Sequence, residues 1–508
     1  MTQKSSAPQQ KSNVVAIITM FFMFAMISFV TNMAAPFGNI WGFKYEWSGM
    51  LGNMMNFAAY LFMGIPAGKM LMTVGYKKTA LIALAVGFIG LAVQYVSSIF
   101  GADITVLNYG GQAVTLNLFI YLLGAFICGF CVCMLNTVVN PMLNILGGGG
   151  NKGNQLIQSG ATLNSLTGSL TPMLVGALIG TLTPQTSMSS VAPLLFAGMA
   201  IFALSYIIIT FVSIPEPALE RAKAEKAAGV VKAKSKHSAW SFRHFVLGAI
   251  AIFFYVGVEI SIPGELNFYL SNATEKGAGI LVNGAAIGGA IVMVYWLLML
   301  VGRALSSSIS AKISTRAQMI SVSSLGCVLV LIAIFTPKTV SFSVPEFIYN
   351  PTEKTEAILT DAGLSAEAIE AFKADAAAFD WTQYPEAADK LENGSNIKVE
   401  MAPKMLETPQ VPLSALFLVL CGLCTSLMWG GIFNLCVEGL GKYTEQASGI
   451  FMALVVGGGV MPLIQDLVLA PAIGYMQSYW LVVAMLAYIL YYSLIGCKNV
   501  NKDIPVED

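Results

Sequence analysis

The sequence predicts an all-α membrane protein with twelve transmembrane helices arranged as two pseudo-repeated six-helix bundles. Three observations lead there: the composition, the number of long apolar stretches, and a set of motifs that recur at related offsets. Of 508 residues, 56% are apolar and 11% charged, with a mean hydropathy of +0.72; an ordinary soluble domain carries roughly 25% charged residues. So few polar groups cannot cover the surface of a soluble globule. The 27 basic and 27 acidic residues cancel, leaving no basic field for nucleic acid.

A spanning helix needs about 20 mostly apolar residues. Twelve such stretches occur, at 14–36, 48–71, 79–100, 115–146, 156–182, 191–213, 243–271, 279–302, 317–336, 412–435, 447–471 and 475–496. The first is too long for a signal peptide and lacks a small-residue cleavage site, so it counts as a span. The eight cysteines lie in or beside these stretches and read as packing residues. Cys421 and Cys424 lack a second ligand pair, and no metal site is expected.

Charge sets the orientation. With the N-terminus inside, the inner segments hold 19 Lys and Arg residues and the short outer loops only Lys44 and Lys276. By the positive-inside rule both termini are expected in the cytoplasm. The domain organisation follows as 1–213, an N-terminal six-helix bundle; 214–242, a cytoplasmic linker; and 243–508, a C-terminal bundle with an external insert at 337–411. The linker's Glu220 to Lys236 stretch is cationic and alanine-rich, suited to a solvated helix near anionic lipid. The insert carries 13 acids and 6 basic residues, a net charge of −7. Its alanine-rich run from Pro351 to Phe379 predicts a small helical cap with Leu364, Ile369 and Phe372 as apolar contacts.

The halves repeat. Gly68-Lys69 after span two matches Gly302-Arg303 after span eight, offset 234; Gly168 to Pro172 in span five matches Gly458 to Pro462 in span eleven, offset 290. The difference of 56 is close to what is gained when a 75-residue insert replaces a loop of about 14 residues at 101–114. The Gly-basic loops, with Gly68, Lys69, Lys77, Lys78, Gly302 and Arg303, are candidate latches that hold the two halves together on the inside, since a cation can bond the carbonyl end of a neighbouring helix.

Spans one, four, five and seven combine Pro or Gly with polar residues, the pattern of helices that line a cavity. Asn32, Asn136, Asn140 and Asn164 offer donors and acceptors suited to an uncharged polyhydroxylated solute, and Trp429 offers a ring face for a sugar's C–H groups. Glu259, deep in span seven, is the first candidate for a proton or cation carrier, because burying a charge is costly. Glu265 lies six residues later, and Asp466 in span eleven is expected near the outer water. Gly147 to Gly150 lacks the Lys-Ser/Thr of a phosphate-binding loop. Without a nucleophile–base pair in the spans, no enzyme and no cofactor are expected.

These residues carry a resemblance. Gly129 to Gly147 with Asn136-Thr137-Val138-Val139-Asn140-Pro141, Asn154 to Gly168, Tyr255-Val256-Gly257-Val258-Glu259, Gly302-Arg303 and Gly449 to Pro462 resemble the fucose/glucose/galactose–proton symporter family of the major facilitator superfamily. The resemblance implies a major facilitator fold, a central sugar cavity and alternating access. It implies a secondary active transporter importing a neutral monosaccharide (a hexose or deoxyhexose such as glucose, galactose or fucose) across a bacterial inner membrane. Fucose-type members carry acids at the positions of Asn32 and Asn136, a glutamine at that of Ala161 and a tyrosine at that of Trp429. The two amides cannot carry a proton, so by analogy with glucose-type members Glu259 becomes the favoured coupling residue. Proton coupling, sodium coupling and uncoupled facilitation stay open. So do another solute (an amino sugar, a nucleoside, a peptidoglycan fragment) and a non-transporting sensor. The expected partners are the sugar, the coupling ion and membrane lipid, around a monomer.

Overall fold

The computed structural model describes residues 7–147, 150–179, 186–216, 219–220, 237–309, 313–344, 351–395, 397–440, 443–501 and 503–506. The cationic linker stretch from Arg221 to Lys236 lies outside them. Ten of the described helices are long and apolar enough to cross a membrane. Span two (Leu51–Thr73) and span five (Gly150–Ile179) are long enough, at 23 and 30 residues, but more polar. Both pack against the opposite half, and their polar residues include Asn53 and Asn56 in one, Asn164 and Ser165 in the other.

Within each half the helices pack in the same pairs. Span one lies on span five, two on four, three on four and three on six; seven lies on eleven, eight on ten, nine on ten and nine on twelve. The halves meet through span two on span eleven and span five on span eight. Adding six to each number converts one interface into the other. The repeated glycine motifs do equivalent work: Gly168 packs span five on Ser28 and Asn32 of span one, and Gly458 packs span eleven on Val256 of span seven. A side chain at either position would separate the pair.

The basic residues after spans two and eight also have structural partners. Lys77 Nζ donates to the Thr210 carbonyl at the end of span six (2.8 Å). Arg316 Nε donates to the Ser493 carbonyl at the end of span twelve (2.9 Å). In each half, a cation in the first turn of the third helix thus holds the carbonyl end of the sixth. Glu216 completes the first of these joints by accepting from the Tyr76 and Lys77 backbone N–H groups (2.6 and 2.9 Å). Lys77 therefore braces one half internally, whereas the latch reading had it joining the two halves. Lys69 and Lys78 are exposed.

Several boundaries differ from the sequence expectation. Span one runs Ala7–Asn32 and continues as Ala34–Lys44 after a break at Met33. Span eight is Gly284–Ile309, displaced toward its C-terminal end, so Arg303 lies inside the helix instead of in a loop. Span ten divides into Ser414–Thr425 and Met428–Val437. Span eleven divides into Thr444–Leu454 and Gly457–Ile464, followed by a π-helical turn at Gln465–Leu469. The expected loop at 101–114 contains a β-hairpin, Thr105–Tyr109 paired with Gln112–Thr115. Gly110 and Gly111, both at positive φ, make its turn.

The insert folds as a helical cap. Its ends are held together by strands Ser341–Ser343 and Gln410–Pro412. Helices Pro351–Ala362 and Ala366–Ala374 bury Leu359, Leu364, Ile369 and Phe372. At its base, Lys338 Nζ donates to the Gly277 carbonyl (2.6 Å) in the loop between spans seven and eight.

The halves touch on both sides of the centre. Toward the linker, a Cβ at Gly64 would lie 2.6 Å from the Ala453 backbone nitrogen, and one at Gly68 would lie 3.8 Å from Gly449 Cα. Toward the insert, Phe268 of span seven lies against Gly49 and Met50 against Gly264. The closest linker-side approach is therefore one turn before the predicted Gly68. Gly64→Leu is expected to hold the halves apart there, read as faster thiol labelling of a cysteine placed at Gly449. Unchanged labelling would show that the approach is not a closing contact.

Candidate functional site

Between the halves lies a cavity lined by spans one, two, four, five, seven, eight, ten and eleven. All six residues expected to bind a solute, Asn32, Asn136, Asn140, Asn164, Glu259 and Trp429, line this one cavity. They come from five helices. Sequence reasoning did not single out Ser28, Phe57, Tyr60, Trp296 or the wall position of Arg303.

The amides are held by their own scaffold. Asn32 Nδ2 donates to the Ser28 carbonyl (2.8 Å), Asn136 Nδ2 to the Tyr60 hydroxyl (2.9 Å), Asn140 Nδ2 to the Asn136 carbonyl (2.9 Å), and Asn164 Nδ2 to the Phe24 carbonyl (3.0 Å). Asn32 and Asn136 use both N–H donors within the protein, Asn32 also reaching Ser28 Oγ (3.0 Å) and Asn136 the Val132 carbonyl (3.2 Å), which leaves their side-chain carbonyl oxygens as acceptors. Two of these bonds join helices: Asn136 ties span four to span two, and Asn164 ties span five to span one.

Aromatic rings supply the apolar walls. Phe57 and Tyr60 stack with their centroids 5.9 Å apart. Trp429 stands edge-on to Tyr255 at 6.4 Å and to Phe451 at 5.7 Å, which fixes its plane. Trp296 packs edge-on to Tyr295. Ring faces beside carbonyl acceptors match a solute with C–H faces and hydroxyl edges.

One ion pair stands in this setting. Arg303 Nη2 lies 3.8 Å from Glu259 Oε1, with the side chains 8% and 13% exposed. The guanidinium also donates through Nη1 to the Ala161 carbonyl and to Ser165 Oγ (2.6 Å) in span five, and through Nε to the Ser426 carbonyl (3.2 Å) in span ten. The break in span ten between Thr425 and Met428 is where the Ser426 carbonyl becomes available. Gly302, one residue earlier, allows span ten to come close, since a Cβ there would collide with Ser426. One side chain from span eight thus joins span five of the other half to spans seven and ten of its own. The Tyr295 hydroxyl donates to the Glu259 carbonyl (3.3 Å) and shares a bond with Thr425 Oγ1 (2.9 Å), bracing the acid's helix.

Arg303 was read as a loop cation because Gly302-Arg303 mirrors Gly68-Lys69. The signal against that reading lay just downstream. Ala304 to Ile309 carries no Gly or Pro, so nothing ends the helix. Lys69 and Arg303 occupy repeated positions yet differ in burial, and the departure from symmetry falls at the cavity.

Glu265 and Asp466 lie outside the cavity lining. Asp466, expected near outer water, is half-buried in the π-helical turn of span eleven and lies within electrostatic range of Glu265. All the described cysteines are free, and all but Cys327 are buried. Among the described residues, no group of three or more His, Cys, Asp or Glu side chains is placed to hold a metal.

No family model matches the chain. Over 98% of its length it is 24% identical to a protein of Brucella abortus biovar 1 (strain 9-941) named glucose/galactose transporter, covering 97% of that protein. It is also 24% identical to a putative glucose/galactose transporter of Helicobacter pylori (strain J99 / ATCC 700824), over 97% of this chain and 99% of that one. The crystal structure of the E. coli fucose:proton symporter superposes with a TM-score of 0.58 at 16% identity, covering 95% of this chain and 98% of that chain. The inward-open xylose transporter XylE of E. coli gives 0.58 at 10% identity, with 97% and 98% covered. The resemblance to the fucose/glucose/galactose–proton symporter family holds along the whole chain, and the fold is the major facilitator fold.

Proposed function

We propose that this chain is a secondary active transporter that carries a neutral monosaccharide, a hexose or deoxyhexose, by alternating access. The observation that carries the reading is the cavity at the junction of the halves, where carbonyl acceptors, aromatic faces and one ion pair meet. The full-length relatives named glucose/galactose transporter support the same substrate class. Asn32, Asn136, Asn140 and Asn164 would accept from sugar hydroxyls, Glu259 would accept the most strongly, and Trp429 would pack on a ring face. The two halves would then rock about this bound solute, as repeat-built transporters do. The location would be a bacterial inner membrane with both termini cytoplasmic, as the distribution of Lys and Arg implies.

Ion coupling is proposed at Glu259. A proton on its carboxylate would remove the charge that holds the guanidinium in place. Arg303 would then keep its bonds to neutral acceptors in spans five and ten and lose its tie to span seven, so that span five of one half is no longer linked through Arg303 to span seven of the other. Cation binding and the parting of the halves would thereby be linked.

The test is uptake of radiolabelled glucose, galactose and fucose into proteoliposomes with a proton gradient, a sodium gradient or neither. Accumulation under one gradient supports symport and names the ion. Equilibration alone would make the chain a facilitator, and no movement of any of these sugars would remove the substrate class. Within the same assay, Asn136→Ala is expected to weaken sugar binding about fivefold to tenfold, the loss of one hydrogen bond of about 1 kcal/mol. An unchanged dissociation constant would take Asn136 out of the site.

A further inference from the structure

Pro462 leaves a backbone acceptor of span eleven without its helical donor. Within Gly457–Ile464 the Gly458 carbonyl would accept from the N–H four residues on, and that residue is the proline, which has no N–H to give. Gly457, Gly458, Gly459 and Pro462 are all buried. Within a membrane such a freed group must be served by a neighbouring helix or left unpaired at a cost.

Span two, in the other half, serves it. Asn53, the third residue of Leu51–Thr73, is 7% exposed and donates through Nδ2 to the Gly458 carbonyl (2.9 Å). The glycines of span eleven permit the approach. A Cβ at Gly459 would lie 2.9 Å from Met54 Cα, and one at Gly458 would lie 2.8 Å from the Phe57 ring. On the far side, a Cβ at Gly457 would collide with the Phe253 carbonyl of span seven. Phe57, one turn along span two from Asn53, lines the cavity. Met50, three residues before Asn53, meets Gly264 where the halves touch toward the insert. The bond therefore lies between the cavity and the insert-side contact. It has a counterpart across the repeat: span eight reaches a span-five carbonyl through Arg303 and Ala161, as span two reaches a span-eleven carbonyl through Asn53 and Gly458.

We propose that Asn53 is the lock on the insert-side path to the cavity. Its amide pairs with the Gly458 carbonyl while that path is shut, and releases it when the halves part there and water takes its place. Closing the path without Asn53 would bury an acceptor that has no donor, so the closed form depends on this one bond. Asn53 is a positioning residue and needs no contact with the solute. The proposal rests on the alternating-access reading and names the residue that sets the balance between its states.

The experiment places a cysteine at Thr31, which lines the cavity, and labels the full-length chain in vesicles with a membrane-impermeant maleimide. Reagent is added on the insert side or, separately, on the linker side, without sugar, and the chain lacking Thr31→Cys gives the background. Asn53→Leu keeps the branched shape and loses the donor. It is expected to label about fivefold to tenfold faster from the insert side and no faster from the linker side, as one buried acceptor loses its partner. Adding Pro462→Ala to Asn53→Leu restores an N–H within span eleven, and is expected to bring labelling back toward the wild-type rate. A packing defect alone would not be rescued in this way. Unchanged insert-side labelling in Asn53→Leu overturns the proposal, as does a gain that Pro462→Ala leaves in place. A cysteine that stays unlabelled in every variant overturns it as well, because the unlocked form must expose the cavity. Should Asn53→Leu fail to fold, Asn53→Ala is read by the same criteria. Labelling requires no sugar movement, so failure of the transport reading in the uptake assay leaves this result distinct.

Discussion

Replacing Arg303 with Met is expected to be the most damaging single change in the cavity, and far worse than replacing Glu259 with Gln. Removing the guanidinium leaves the Glu259 carboxylate buried without its cation, a loss of about 3–5 kcal/mol for a broken buried pair. It also removes the bonds to Ala161, Ser165 and Ser426 that cross between helices. Glu259→Gln takes away a single contact at 3.8 Å, and Arg303 keeps three oxygen acceptors. The asymmetry is the distinctive part. Thermal unfolding of both variants and of the double variant Arg303→Met/Glu259→Gln measures it, and the double variant is expected to recover part of the stability lost in Arg303→Met. Equal losses in the two single variants would mean that the cross-helix bonds contribute little. A double variant no better than Arg303→Met would show that the uncompensated carboxylate is not the cause.

Glu259→Gln is expected to separate exchange from accumulation. A glutamine keeps the volume and one acceptor oxygen, so labelled sugar should still exchange across a vesicle membrane with no gradient. It cannot bind a proton, so a pH gradient should no longer drive accumulation. Sugar affinity should fall by about tenfold to a hundredfold, as a hydrogen bond to a charged acceptor of about 1.5–3 kcal/mol is lost. Counterflow and gradient-driven uptake on the same preparation are the two readings. Full accumulation in the variant would move coupling away from Glu259. Loss of both activities with a folded protein would make Glu259 essential to sugar binding instead.

The architecture was legible in the sequence because its causes are local. A helix crossing lipid must satisfy its own backbone and present apolar side chains, and that shows as a run of about 20 residues. The repeat was legible because two short motifs kept their spacing on either side of one insertion. The helical insert with Leu364, Ile369 and Phe372 in its core follows from the same short-range pattern. Span boundaries were less readable. Neither the break in span ten after Thr425 nor the π-helical turn after Ile464 has a sequence signal beyond nearby Gly and Pro.

Asn32, Asn136, Asn140, Asn164, Glu259 and Trp429 were chosen from the sequence as cavity candidates, and the structure gathers them around one space. That choice was possible because polar groups within apolar helices are expensive and therefore informative one residue at a time. Partnership is a different matter. Arg303 is 44 residues from Glu259 and 138 from Ser165, and whether a cation near a helix end meets water or a buried acid depends on where the helix stops and what packs beside it. Lys69 and Arg303 begin from the same repeated motif and end in opposite surroundings, one exposed and one buried. The chain by itself determined the number of helices, their pairing into halves and the polar residues lining the middle, because hydrophobic burial acts on each segment separately. That Glu259 has its own counter-ion in Arg303 was decided only by the tertiary structure, because charge compensation depends on distances between helices far apart in the chain.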